Sequence, residues 1–215
     1  MQHRLFERKD TYSTKINPKS KVLVQNKAIS EMKIFPTEKN IVLESSSLRW
    51  FIIKRGDKYG IRLRDLESPA VQEFTDIDTY PISTDWCIKA KLETATNDKK
   101  IAITDVLGQT NMQPSPGTLV FSIEGKEYRL DAIDDGDELF IIFKDATSGK
   151  ETYGAGRFLY AEKPKADGDG MVILDFNKAI NPPCALTDFA TCPLAPRQNW
   201  LSIPIPAGEK KPHGH

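Results

Sequence analysis

Three cysteines, three histidines and one loose set of polar residues are the groups in this sequence that could carry chemistry. The histidines are His3, His213 and His215, and the cysteines are Cys87, Cys184 and Cys192. A Cys–His nucleophile would have to recruit its base from a chain end, where backbone is usually poorly held, so that chemistry is disfavoured. Cys184 and Cys192 are of more interest. They lie in segment 175–194, which is too long for a plain connection and is stiffened by Pro182 and Pro183. If the segment folds back on itself, the two cysteines can meet as a disulfide or pack as an apolar structural pair. The rival readings are a redox or catalytic thiol and a metal site, although zinc would need two further ligands that no Cys-x-x-Cys pair or nearby His supplies. Cys87 follows Trp86 in an alternating segment and is expected to be a lone, inert thiol.

Arg157, Asp175, Asn177 and Asn181 form the candidate polar cluster. An Arg and an Asp can stabilise charge or move a proton if they converge in a pocket. They can equally form a buried ion pair, with the two amides pinning the loop to the sheet. Apolar residues fall on both faces of segment 171–176, which predicts a buried or half-buried Asp175 carboxylate with Arg157 as its partner. The acidic residues Asp131, Asp134, Asp135, Asp137 and Glu138 do not follow the spacing of a calcium loop and read as a solvated turn. The Arg55-Gly56-Asp57 tripeptide reads as a hairpin tip rather than an adhesion signal. Neither a Gly-rich phosphate loop after a strand nor a Gly-x-Ser-x-Gly elbow is found.

Positioning these residues falls to strands. Trp86, Ile88, Ala90 and Leu92 alternate with Cys87, Lys89 and Lys91, the period of a strand with one face inward. Segments 59–64 and 128–132 alternate in the same way. Segment 139–143 is apolar on both faces and reads as a strand buried twice over. Further strands are expected at Val22–Val24, 41–43, 49–53, 100–106, 118–123, 158–161 and 171–176. Glu124-Gly125, Asp135-Gly136 and the run 167–170 mark turns. A short helix is expected around residues 4–12, stopped by Asn17-Pro18. The fold class is therefore mainly β: antiparallel sandwich or barrel-like sheets, a short N-terminal helix and a long Cys-containing loop near the C-terminus. Residues 1–45 are expected to form the helix and an extended lead-in, and residues 46–212 the β-rich domain.

Composition agrees. The chain has 215 residues, of which 39% are hydrophobic and 28% charged, an ordinary globular balance that excludes disorder and coiled coil. Thirty basic residues cancel thirty acidic ones, so no non-specific grip on nucleic acid is expected. No apolar run is long enough to span a membrane as a helix. The charged first residues do not form a signal peptide, so a cytoplasmic location is expected as encoded. The periplasmic or secreted alternative applies if a signal has been removed.

The C-terminal third carries a resemblance. The runs 152–159, 174–179, 181–185 and 190–194, closed by Ile203-Pro204-Ile205-Pro206-Ala207-Gly208-Glu209-Lys210, resemble the domain of unknown function 1684 family of bacteria and archaea. The similarity extends more loosely upstream to residue 45, and residues 1–45 match only weakly. It implies that Arg157, Asp175, Asn177, Asn181, Cys184 and Cys192 occupy family motif positions, and that Leu186 stands where an aromatic is common. It implies no activity, substrate or cofactor. Some members of the family look exported, which supports the periplasmic alternative.

Two functional readings follow. The first is a ligand-binding or structural β module with no cofactor, whose partner would be a small molecule. The second is a hydrolase-like enzyme with its site around residues 175–194. A deep pocket gathering several of the four polar residues would favour the enzyme.

Overall fold

The structure is a computed structural model that describes residues 12–34, 41–55, 58–96, 98–165 and 168–212. The chain forms two compact units, residues 1–75 and 76–215, each built on antiparallel sheet.

In the first unit the strands are β1 (Tyr12–Lys15), β2 (Val22–Val24), β3 (Lys27–Ile29), β4 (Glu31–Ile34), β5 (Leu43–Ser45), β6 (Leu48–Arg55) and β7 (Lys58–Asp65). β1 pairs with β4, while the other five form one sheet in the order β3-β2-β5-β6-β7. Register places Leu43 opposite Trp50, and Trp50 opposite Leu63, so these apolar side chains share a face. Val22 and Leu43 are its buried centre, with Ile16, Met32, Trp50 and Ile52 packed against them. Residue 45, the boundary expected from sequence, is the last residue of β5. The short helix α1 (Pro69–Gln72) follows β7. The helix expected at residues 4–12 lies outside the described residues except for Tyr12, which opens β1. The tip at Gly56-Asp57 also lies outside them.

The second unit contains β8 (Cys87–Thr94), β9 (Lys100–Thr104), β10 (Thr110–Pro114), β11 (Gly117–Ile123), β12 (Lys126–Asp135), β13 (Glu138–Phe143), β14 (Arg157–Glu162) and β15 (Met171–Asp175). Six of them make one antiparallel sheet in the order β14-β13-β12-β11-β8-β15, curled into a nearly closed barrel. Alternation determines what lies inside. Ala90, Leu119, Phe121, Leu130, Leu139, Ile141, Leu159, Val172 and Leu174 are inward and buried, and Phe176 closes the end of the core. Burying side chains of this size stabilises the fold by about 1.5–3 kcal/mol each.

A second core lies on the outer face. The β9–β10 hairpin lays Ile101 and Ile103 on Ile133, Ile142 and Phe158, with Ala195 beside them. For this reason β13 is apolar on both faces: Leu139, Ile141 and Phe143 point into the barrel, and Ile142 points under the hairpin. Buried Asn199 fastens the C-terminal segment to this region. Its amide donates to the carbonyls of Asp131 and Ile142, both at 2.9 Å, and accepts from the Asp131 N–H at 2.7 Å.

Candidate functional site

Period two runs on past the end of β13. Phe143 points into the barrel, so Asp145, two residues later, points the same way. Arg157, at the start of β14, stands opposite Phe143 and shares the inward face with Leu159 and Ala161. The two charged side chains meet there: Arg157 Nη2 lies 2.9 Å from Asp145 Oδ2, and both side chains are completely buried.

The guanidinium uses three further hydrogen bonds to hold residues 205–209. Nη2 donates to the Ile205 carbonyl at 3.0 Å, Nη1 donates to the carbonyls of Ala207 and Glu209, and the plane sits over the Phe143 ring. Only its Nε–H is buried without a partner. Asp145 Oδ1 accepts from Thr147 N–H at 2.8 Å, Thr147 Oγ1 at 2.6 Å and Ile205 N–H at 3.2 Å. Thr147 and Thr152 share a hydroxyl hydrogen bond at 2.8 Å beneath them. Burial pulls the Arg157 pKa below its ordinary value, and the Asp145 carboxylate opposes that shift.

The expected Arg157–Asp175 pair is therefore corrected: Asp145 is the partner. Asp175 shares the outer face of β15 with Met171 and Ile173, because Val172 and Leu174 take the inner one. Apolar residues on the outer face suggested a second buried layer that this strand does not have. Asp175 Oδ1 instead accepts from the Asn177 N–H at 3.2 Å and its amide at 2.9 Å, and Lys178 stands 3.8 Å away. Asn177 in turn clasps Ser83, accepting from its N–H at 3.1 Å and donating to its carbonyl at 2.9 Å.

Asn181 is buried and belongs with the Arg157 group. Its N–H donates to Glu209 Oε2 at 2.6 Å and its amide donates to the Lys210 carbonyl at 2.7 Å, while Oδ1 is buried without a partner. The four candidate residues thus fall into two sets, one gripping residues 205–210 and one gripping Ser83. Asp145, Thr147, Thr152 and Glu209 complete the first set and were missed in the sequence reading. The parity of Asp145 with Leu139, Ile141 and Phe143 was the signal that could have found the first of them.

Cys184 and Cys192 lie side by side as thiols. The Cys184 N–H donates to Cys192 Sγ at 3.0 Å, and no disulfide joins them. Tyr153 caps this pair by donating its hydroxyl to the Cys184 carbonyl at 3.2 Å. Cys87 is exposed at the start of β8. In the acidic stretch, Asp131 binds Lys99 at 2.8 Å and Asp134 binds Lys163 at 2.6 Å.

Two tyrosines at these contacts titrate abnormally. Tyr153 is pushed up to about 12, first by burial and then by the adjacent Cys184. Tyr80 is likewise pushed up to about 12, by burial and by its 3.0 Å hydrogen bond to Glu151. Both folded-state values lie above the ordinary value near 10. Their contribution to stability is therefore complete below pH 10 and lost as pH rises from about 10 to about 12. Urea midpoints measured across that window should fall less steeply for Tyr80→Phe and Tyr153→Phe than for the wild type. Equal slopes would show that neither phenol carries the effect.

A groove of about 780 Å³ lies along β14 and β15, the two end strands of the barrel sheet. Phe158 exchanges both backbone hydrogen bonds with Ile180, which turns the Tyr160 backbone to that same free edge of β14. Leu92 N–H bonds the Gly170 carbonyl, which leaves the Ile173 backbone on the edge of β15 away from β8. The lining includes Cys87, Tyr160, Pro164, Met171 and Ile173, with Glu138, Glu162, Asp169 and Asp175 offset by Lys163, Lys165 and Lys178. Of the four candidate polar residues, Asp175 alone lines it.

Residues 72–210 match the family described as "Protein of unknown function (DUF1684)", a span that includes every strand of the barrel and the whole Arg157–Asp145 network. The chain belongs to the DUF1684 family. Among solved structures, the DUF1684 chain is similar to the solution NMR structure of an uncharacterised protein from Haloarcula marismortui. The TM-score is 0.56 with 28% identity, covering 69% of this chain and 83% of that one. No curated protein matches it. Among the described residues, no helix of this DUF1684 protein is long and apolar enough to cross a membrane.

Proposed function

We propose that this DUF1684 protein is a small-molecule-binding β module that performs no reaction on its ligand, with the ligand seated in the groove between β14 and β15. The observation that carries this reading is the separation of the groove from the polar network. Arg157 and Asn181 spend their hydrogen bonds on groups of residues 145 and 205–210, away from the groove lining, and Asn177, which reaches the lining only through Asp175, is tied to Ser83. A hydrolase around residues 175–194 would need several of them in one open pocket.

The groove volume falls in the range of small-ligand sites. Its charges largely offset one another, which favours a neutral or zwitterionic ligand. Tyr160, Met171 and Ile173 supply apolar contact, while backbone groups on the two strand edges supply hydrogen bonds. Burial, together with Asp135 and Glu138, raises the Tyr160 pKa and keeps its phenol a donor.

Cys87 makes the reading testable, because it is an exposed thiol in the lining. Neutral amphipathic fragments would be screened by two-dimensional NMR, and hits retested for protection of Cys87 against iodoacetamide. Hits should shift Tyr160, Met171 and Ile173 and slow the alkylation, and the double variant Tyr160→Ser, Ile173→Ser should weaken them at least ~10-fold. Shifts centred on Asn181 and Cys184, chemical turnover of a hit, or an absence of hits would each overturn the proposal.

A further inference from the structure

We infer that Cys184 and Cys192 are a reversible thiol–disulfide pair, an oxidation site that locks the cover of the β14 edge to the β9–β10 hairpin. The geometry is that of a pair poised to close. The Cys184 N–H reaches Cys192 Sγ at 3.0 Å, and a cysteine's own sulfur is only two bonds from the Cα that carries that nitrogen. The Cys192 sulfur therefore lies within one side-chain length of the Cys184 sulfur, and side-chain rotation is the adjustment we invoke to join them. A tight turn at Pro183–Ala185 holds the first cysteine, with Ala185 and Leu186 N–H donating to the carbonyls of Pro182 and Pro183.

What the bond would join follows from the neighbours. Ahead of Cys184, Ile180 exchanges two 2.9 Å backbone hydrogen bonds with Phe158 and so covers the free edge of β14. At the other cysteine, the Cys192 carbonyl accepts from Val106 N–H at 3.1 Å, Pro193 bridges Asp105, and Leu194 N–H donates to Thr104 at 2.8 Å. A disulfide would close the loop between these two attachments and restrict the unfolded chain in the same step.

A hydroperoxide supplies the oxidising equivalents. One thiolate attacks the peroxide oxygen and becomes a sulfenic acid, releasing water or an alcohol. The second thiol then displaces water from that sulfur as the S–S bond forms. Two S–H bonds and one O–O bond break, and two electrons pass from sulfur to oxygen. A dithiol reductant reverses the change by exchange.

The full chain would be reduced, freed of reductant, treated with hydrogen peroxide, alkylated after unfolding and digested with trypsin. Cleavage after Lys178 and Arg197 leaves both cysteines in one peptide. That peptide should be lighter by two hydrogens and unalkylated, while Cys87 in its separate peptide is alkylated or oxidised independently. The melting temperature should rise by about 5–10 °C and return on adding dithiothreitol. Cys87→Ser should retain the rise and Cys192→Ser should lose it. Two alkylated cysteines in the 179–197 peptide, or oxidation confined to Cys87, would overturn the inference. The peptide mass in the wild type decides even if Cys192→Ser does not fold.

Discussion

Replacing Arg157 with alanine is expected to destabilise the second unit by about 3–5 kcal/mol, a large fraction of the stability of a domain this size. The substitution leaves the Asp145 carboxylate buried without its cation and strips partners from the carbonyls of Ile205, Ala207 and Glu209. Asp145→Ala should cost a similar amount from the other side, since it strands a guanidinium that has no solvent to turn to. Arg157→Lys should not rescue the loss, because one ammonium cannot reproduce the planar fork that reaches a carboxylate and three carbonyls at once. Urea denaturation of the two alanine variants and of the Arg157→Ala, Asp145→Ala double gives the test. The double should be far less damaged than the sum of the singles, reflecting strong coupling. Additive losses would mean that the two groups act independently. Loss of activity in some later assay would not by itself make Arg157 catalytic, because the same residue holds residues 205–209 in place.

Gly208→Ala is expected to cost about 2–5 kcal/mol through a different mechanism. Gly208 has φ near +73°, where an L side chain is strained by about 1–2 kcal/mol. A Cβ there would also lie 2.5 Å from the Ala179 carbonyl oxygen and 2.8 Å from that of Phe176. Both contacts are with backbone, so relief requires moving residues 205–210, a strap across Ala179 and Tyr80, at a further ~1–3 kcal/mol. The strap hydrogen bonds would suffer first: Tyr80 N–H to Gly208 carbonyl and Glu209 N–H to Ala179 carbonyl, each 2.9 Å. Hydrogen exchange at Tyr80, Asn181 and Glu209 should quicken before the barrel amides do. Uniform quickening across the unit would instead indicate that the strap and the barrel open together.

Strands were legible in the sequence wherever side chains alternated between apolar and polar. Alternation placed β7, β8 and β12 to within a few residues, although Ile61 and Leu63 of β7 are exposed, and the doubly apolar segment at Leu139, Ile141, Ile142 and Phe143 correctly announced a strand covered on both sides. The long segment at 175–194 was legible too, through its prolines and paired cysteines, and its motifs carried the family. Short strands such as β3 and β10 were not read, because three to five residues with exposed side chains carry little period.

By itself, the sequence determined a mainly antiparallel β protein, the family, and a set of polar residues that had to be satisfied somewhere. Local patterning can do that much, since side-chain alternation and turn chemistry depend only on near neighbours. Which carboxylate meets Arg157 was decided by the tertiary structure. Asp145 follows β13 and Asp175 ends β15, and only the pairing of β13 with β14 brings one of them to the guanidinium, while the outward parity of Asp175 turns the other away. The groove was equally invisible, because it arises where the two end strands of a curled sheet approach without hydrogen bonding. That is a property of six strands taken together, and no single segment encodes it.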